Sequence, residues 1–120
     1  MKVLVTGAAG FIGSKISFML ASRGDEVVGL DNINDYYDVR LKAGRLRELG
    51  IETDEQCSLP WNTLLPSRLF GNLRFIRLGI EQKEPLDALF AAERFDRVVI
   101  NDDLAMAENE AYEIVKEFLG

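Results

Sequence analysis

The sequence predicts an α/β fold, a doubly wound parallel sheet of four strands between two layers of helices. Apolar runs that suit buried strands alternate with amphipathic stretches through four cycles along the 120 residues. This alternation is typical of parallel strands joined by right-handed crossovers. The first apolar run also ends in glycines where a helix begins. Together these features predict one domain over residues 1–120 with the strand order 3-2-1-4 in three α/β/α layers.

The first strand and the first helix meet at three glycines. An apolar run over residues 3–5 leads into Gly7, Gly10 and Gly13. Gly7 allows a sharp turn, Gly10 lets a pyrophosphate approach the backbone, and Gly13 lets the helix lie close to the strand. The first amides of the helix and its dipole favour an anion at the same place. The cofactor-binding residues predicted in this segment are Gly7, Ala9, Gly10, Phe11, Ile12 and Gly13.

A second short strand ends in an acidic residue. Residues 27–30 are apolar, and Asp31 follows them about 20 residues beyond the glycines, where an Asp accepts hydrogen bonds from the hydroxyls of an adenosine ribose. A carboxylate there disfavours a 2′-phosphate, so NAD is favoured over NADP. Asp31 and Asn32 therefore complete the predicted cofactor site. Asp31 also fits a second interpretation, as a turn or N-cap residue in a polar cluster.

Periodicity and turn residues predict the other elements. Gly24 and Gly50 follow two helical patterns as C-cap glycines, and Pro85 suits the first turn of a third helix. The resulting helices cover residues 11–23, 38–49, 84–93 and 105–119, and the remaining strands cover 73–78 and 97–100.

Residues 51–72 interrupt this rhythm with Pro60, Pro66 and scattered polar residues. They predict a long excursion loop with a short helical turn near residues 61–65. Loops of this length often cover a ligand or a partner. Trp61 fits either a surface on which a ligand stacks or an anchor that fixes the loop to the core, and the anchor is favoured.

Composition and charge exclude several function classes. The formal net charge of −6 argues against a nucleic-acid partner, which requires a basic face. The apolar runs are too short for a membrane span, and without a signal peptide a cytoplasmic protein is expected. With no histidine and one cysteine, Cys57, neither a disulfide nor a cysteine-based metal site is expected. An acidic cluster comprises Asp102, Asp103, Glu108 and Glu110. It fits either a Mg²⁺ site or a solvated helix N-terminus, and the helix N-terminus is favoured.

Residues 6–13 and 24–39 resemble the start of an extended short-chain dehydrogenase/reductase. They are most similar to NAD-dependent nucleotide-sugar epimerases of the UDP-glucuronate 4-epimerase type, and residues 31–32 and 34–37 carry that closer match. Residues 72–99 are similar as well. The resemblance implies a Rossmann-like fold, NAD as cofactor and, for the whole enzymes, epimerisation of a UDP-sugar by hydride transfer to NAD⁺ and back.

The chain departs from the pattern that this resemblance implies. Such enzymes carry an Asp beside the adenine ring where this chain has Gly79, and small residues near the nicotinamide where it has residues 101–103. Tyr112 and Lys116 have the spacing of the family's catalytic pair, but they lie one helix too early and no Ser or Thr follows Ser67. No catalytic residue is therefore predicted, and whether the chain is an enzyme stays open.

The leading prediction is a domain that binds NAD or another adenine nucleotide and is not catalytically competent by itself. The family's substrate domain is expected to begin where this chain ends, at Gly120. Two alternatives remain open: a non-catalytic truncated or engineered scaffold without a ligand, and a minimal oxidoreductase that uses Tyr112 and Lys116. A four-stranded sheet also leaves two open edges, which makes a homodimer an expected arrangement.

Overall fold

The computed structural model describes residues 1–34 and 38–100, and it confirms the α/β fold class. The predicted helix over 105–119, the Tyr112–Lys116 pair and the acidic cluster lie outside these described residues. The elements in chain order are β1 (Lys2–Thr6), α1 (Phe11–Ser22), β2 (Glu26–Asp31), α2 (Val39–Glu48), β3 (Leu64–Pro66), β4 (Leu73–Arg77), α3 (Lys83–Glu93) and β5 (Arg97–Val99).

The four parallel strands occur in the predicted order, but the sheet has one strand more than predicted. Its order is β3-β4-β2-β1-β5, in which β4, β2, β1 and β5 are parallel. The added strand β3 pairs antiparallel with β4, with Leu64 opposite Ile76 and Leu65 opposite Phe75. The helical turn predicted near residues 61–65 is therefore wrong. The free edge of β4 determines this pairing, because three residues that end in a proline carry little strand signal of their own.

Both faces of the sheet are covered, which explains why the parallel strands are apolar at nearly every position. On one face Val5, Val27 and Phe75 pack in the cluster that also contains Leu20 of α1 and Leu46 of α2. On the opposite face the strands pack against Leu89 of α3. Among the described residues, no helix combines the length and apolar character that a membrane crossing requires.

An ionic cluster lies near the amino ends of the strands, around Glu93 at the end of α3. Its carboxylate is 3.2 Å from Lys2 Nζ and also pairs with Arg74 of β4. Burial acts to raise the pKa of Glu93, but hydrogen bonds from Arg74 and Lys2 outweigh it and lower that pKa. The carboxylate is therefore more stable in the folded state than in the unfolded chain, and it stabilises the fold above its ordinary pKa.

Glu93→Gln is expected to lower the free energy of unfolding by about 1–2 kcal/mol near neutral pH, because it removes a charge-assisted pair. This contribution should disappear as the pH falls through the lowered pKa of Glu93, since the wild-type carboxylate then becomes protonated in the folded state as well. Urea denaturation near pH 7 and near pH 3 measures the change. Asp87→Asn, at an exposed position of the same helix, is the control. A loss equal at both pH values would contradict the assignment.

Candidate functional site

The turn between β1 and α1 lies at the carboxyl edge of the sheet and leaves the start of α1 open. Gly7 has a φ of +63°, in the left-handed region that favours glycine. Gly10 N donates to Gly7 O at 2.9 Å and closes the turn. Gly10 is also the N-cap residue of α1, where no side chain caps the helix and no acidic residue occupies the first turn. The first helical amides, which have no partners within a helix, therefore present an uncompensated positive end.

The glycine-rich turn lies directly on β2. Ala8 is fully buried and faces Gly29, where a Cβ atom would lie 2.8 Å from the Ala8 Cβ atom. Ala8 N donates to Leu30 O at 3.1 Å. Gly13 is buried within α1. The motif thus requires a glycine on the neighbouring strand as well, and sequence reasoning missed Gly29.

Asp31, at the end of β2, joins the second strand to the glycine-rich turn. It is 3% exposed. Its Oδ2 atom accepts a hydrogen bond from Ala9 N at 3.0 Å, and its Oδ1 atom accepts one from Ile33 N at 2.7 Å. The turn interpretation of Asp31 is confirmed by the second of these bonds. A carboxylate offers about four acceptor positions, so the ribose interpretation remains compatible with these contacts.

Lys42 of α2 contacts the candidate site and, like Gly29, was not predicted from the sequence. Its side chain is 6% exposed, and Nζ lies 3.2 Å from Asp31 Oδ1 and 3.5 Å from Asn34 Oδ1. Lysines are almost never fully buried unless they are paired. The available signal was helical spacing, because Lys42 lies three residues after Val39 and four before Leu46, on the inward stripe of α2.

Asn32 and Ile33 form the turn that follows β2. Asn32 is half-buried, and its Oδ1 atom accepts a hydrogen bond from Asn34 N at 3.2 Å. Ile33 has a φ of +54°, which a β-branched residue rarely adopts. The bond to Asp31 and the burial of the Ile33 side chain, which is 6% exposed, compensate for this conformation. Asn32 thus lies in the turn that follows Asp31 directly.

The other two predicted positions, Phe11 and Ile12, form the first turn of α1. The Phe11 ring is 50% exposed, and Lys15 Nζ lies 4.1 Å from its centroid. The predicted role of these residues concerns their backbone amides, which belong to the open N-terminus of the helix.

The excursion loop contacts the same edge of the sheet from the β4 side. The guanidinium of Arg77 lies 4.3 Å from the Trp61 ring and donates a hydrogen bond to Leu59 O at 3.1 Å. Trp61 is 48% exposed. Trp61 therefore fixes the loop to β4 through Arg77 rather than by entering the core.

Cys57 is buried, which raises the pKa of its thiol. Within the part of the chain that the structure describes, no three His, Cys, Asp or Glu side chains group as metal ligands.

The sequence is similar to a known protein family over most of its length. The model of the NAD dependent epimerase/dehydratase family matches residues 3–112. The chain is 41% identical over 101 residues to a 37.6 kDa protein from the cld 5′ region of Escherichia coli O111:H-, covering 84% of this chain and 25% of that protein. It is 62% identical over 45 residues to UDP-glucuronate 4-epimerase 2 of Arabidopsis thaliana, and this match covers 38% of this chain and 10% of that protein.

Two solved enzymes show the same fold. UDP-glucose 4-epimerase of Thermus thermophilus, in complex with NAD, is 30% identical with a TM-score of 0.50. UDP-glucose 4-epimerase of Thermotoga maritima, with UDP-glucose, is 25% identical with a TM-score of 0.54. In both cases the match covers 85% of this chain and 24% of the other. The chain thus spans about a quarter of the length of these enzymes and of the E. coli relative.

Proposed function

Because this chain belongs to the NAD dependent epimerase/dehydratase family, we propose that it binds NAD at the carboxyl edge between β1 and β2. The observation that carries the proposal is the bond from Ala9 N to Asp31 Oδ2, which fixes the open N-terminus of α1 beside a strand-end carboxylate. The open helix N-terminus suits a pyrophosphate, and the carboxylate at the end of the strand suits a ribose. The proposed contacts are Gly7, Ala9, Gly10, Phe11, Ile12, Gly13, Asp31 and Asn32.

The hydrogen bonds of Asp31 also support NAD over NADP. Three protein donors already engage the carboxylate, from Ala9, Ile33 and Lys42. The remaining capacity of an ionised carboxylate is for accepting only. A ribose hydroxyl can donate to it, whereas a 2′-phosphate offers acceptor oxygens and negative charge.

Calorimetric titration with NAD⁺, ADP and NADP⁺ tests this assignment. Saturable binding is expected for NAD⁺ and ADP, with NADP⁺ at least about tenfold weaker, which corresponds to about 1.4 kcal/mol. Absence of saturable binding of NAD⁺ at millimolar concentration would overturn the proposal and favour a scaffold without a ligand.

Gly29→Ala provides a variant that acts on the turn without touching the cofactor. The new methyl group would lie 2.8 Å from the Ala8 Cβ atom, so the glycine-rich turn must shift away from β2. We expect NAD⁺ affinity to fall at least about tenfold, because anion contacts through backbone amides depend on their positions. Gly44→Ala in α2, where a Cβ atom meets nothing within 4 Å, is the matched control. Unchanged affinity in folded Gly29→Ala would contradict the proposed phosphate position.

Epimerisation of a nucleotide sugar is proposed for full-length enzymes of this type and not for these residues alone. The chain covers about a quarter of the compared epimerases. Adding UDP-glucuronate together with NAD⁺ should therefore produce no absorbance of reduced nicotinamide. Reduction that is lost in Tyr112→Phe would instead establish the minimal oxidoreductase.

A homodimer stays a prediction, and light scattering tests it.

A further inference from the structure

The outer face of α1 is apolar, although a helix that covers a sheet normally has a polar outer face. The 12 residues of α1 include a single charged residue, Lys15. The inner face packs on the sheet through Leu20 and Ala21. On the outer face, Phe18 and Met19 are 47% and 57% exposed. A helix that is hydrophobic on both faces is normally buried on both, so the outer face of α1 is expected to pack against a partner.

A groove of about 430 Å³ lies between this outer face and α2. Lys15, Phe18 and Met19 line the groove from α1. Arg45 and Glu48 line it from α2, and they lie on one face of that helix because they are three residues apart. The groove therefore combines exposed apolar side chains with charges of both signs.

The charges of the groove are separated along its length. Lys15 Nζ and the guanidinium of Arg45 lie 4.1 Å and 5.6 Å from the centroid of the Phe11 ring, at the first residue of α1. Glu48 is the last residue of α2, about one helical turn beyond Arg45. The groove is therefore positive at one end and negative at the other.

These side chains can contact a partner without breaking ion pairs within the chain. Among the described residues, none forms an ion pair or a hydrogen bond with the charged group of Lys15, Arg45 or Glu48. The Phe18 ring is held by an edge-to-face contact with Phe70, in which the centroids are 5.3 Å apart. Because this ring is already ordered, packing against a partner costs less conformational entropy.

We propose that a second copy of this chain covers the groove, with the two copies related by a two-fold axis. The axis reverses the direction of the groove, so that Arg45 of each copy faces Glu48 of the other and two ion pairs form at once. An acidic or a basic partner would be attracted to one end of the groove and repelled at the other. The proposed dimer therefore forms through α1 and α2 rather than along the open edges of the sheet.

Sedimentation equilibrium of charge-reversal variants tests this interface. The wild-type chain should dimerise reversibly, with the dimer populated at about 100 μM. Arg45→Glu and Glu48→Arg should each weaken the dimer at least about tenfold, because symmetry replaces two attractions by two repulsions. The double variant Arg45→Glu/Glu48→Arg exchanges the charges and should recover the wild-type affinity to within about threefold. Arg47→Glu reverses a charge in the same last turn of α2, at an exposed position outside the groove, and should leave the dimer unchanged.

Met19→Asp places a charge in the apolar part of the groove and should give a monomer at the same concentration. A wild-type chain that stays monomeric at about 100 μM would overturn the proposal. So would a dimer that neither Arg45→Glu nor Glu48→Arg weakens, or a double variant that dimerises no better than the single variants. All four positions are exposed or half-buried, so the variants should fold, and circular dichroism checks this.

This inference does not rest on the proposed function. None of the residues that line the groove is a proposed contact of NAD. Calorimetry with NAD⁺ should therefore give the same affinity for the wild-type chain and for monomeric Met19→Asp. A monomeric wild-type chain that binds NAD⁺ would overturn the interface and leave the proposed function intact, and a dimer that binds no NAD⁺ would do the reverse.

Discussion

Asp31→Ala is expected to lower the free energy of unfolding by about 3–5 kcal/mol and to abolish NAD binding. The substitution leaves the ammonium group of Lys42, in a side chain only 6% exposed, without its charged partner. It also removes the acceptor of Ala9 N and Ile33 N. Removing one partner of a buried ion pair costs more than the pair contributes, because the remaining charge is buried and uncompensated. Urea denaturation measures the loss of stability, and calorimetry measures the loss of binding.

Lys42→Met separates the charge effect from the backbone effect. In this variant Asp31 keeps both amide donors, so the expected loss is smaller, about 1–3 kcal/mol. The double variant Asp31→Ala/Lys42→Met should be more stable than Asp31→Ala alone, because no charge then remains buried without a partner. If the double variant loses the sum of both single losses, Asp31 and Lys42 do not stabilise each other in the folded state.

The parallel part of the fold could be predicted because its signals are local. Parallel strands covered on both faces must be apolar at nearly every position, and the glycine-rich turn requires a positive φ at Gly7. Strand β3 could not be predicted in this way. Its three residues are extended because the edge of β4 offers hydrogen-bonding groups, a condition set by residues 73–77 and not by the three residues themselves.

The candidate site was predictable only in part, for a similar reason. The positions of the glycines and of Asp31 follow from their spacing in the sequence, but the depth at which Asp31 is buried does not. Lys42 lies on the inward stripe of α2, yet its role depends on how far Asp31 is withdrawn from solvent.

Gly50→Ala is the second substitution for which a large loss is expected, about 3–5 kcal/mol. Gly50 follows α2 with a φ of +85°. A Cβ atom there would lie 2.5 Å from Ser67 Oγ and 2.7 Å from Leu69 N. One of these contacts is with backbone, which cannot rotate away as a flexible side chain can. The Arg68 N to Gly50 O bond of 2.8 Å, which fastens the excursion loop to α2, should weaken as the loop is displaced.

Gly24→Ala isolates this steric effect, because the two glycines share the same backbone motif. Both follow a helix in a Schellman arrangement: Gly24 N donates to Ala21 O as Gly50 N donates to Arg47 O. Gly24 has a φ of +98°, but a Cβ atom there meets nothing within 4 Å. Its substitution should therefore cost only the conformational part, about 1–2 kcal/mol. Equal losses in the two variants, measured by urea denaturation, would mean that the excursion loop does not pack on Gly50 in solution.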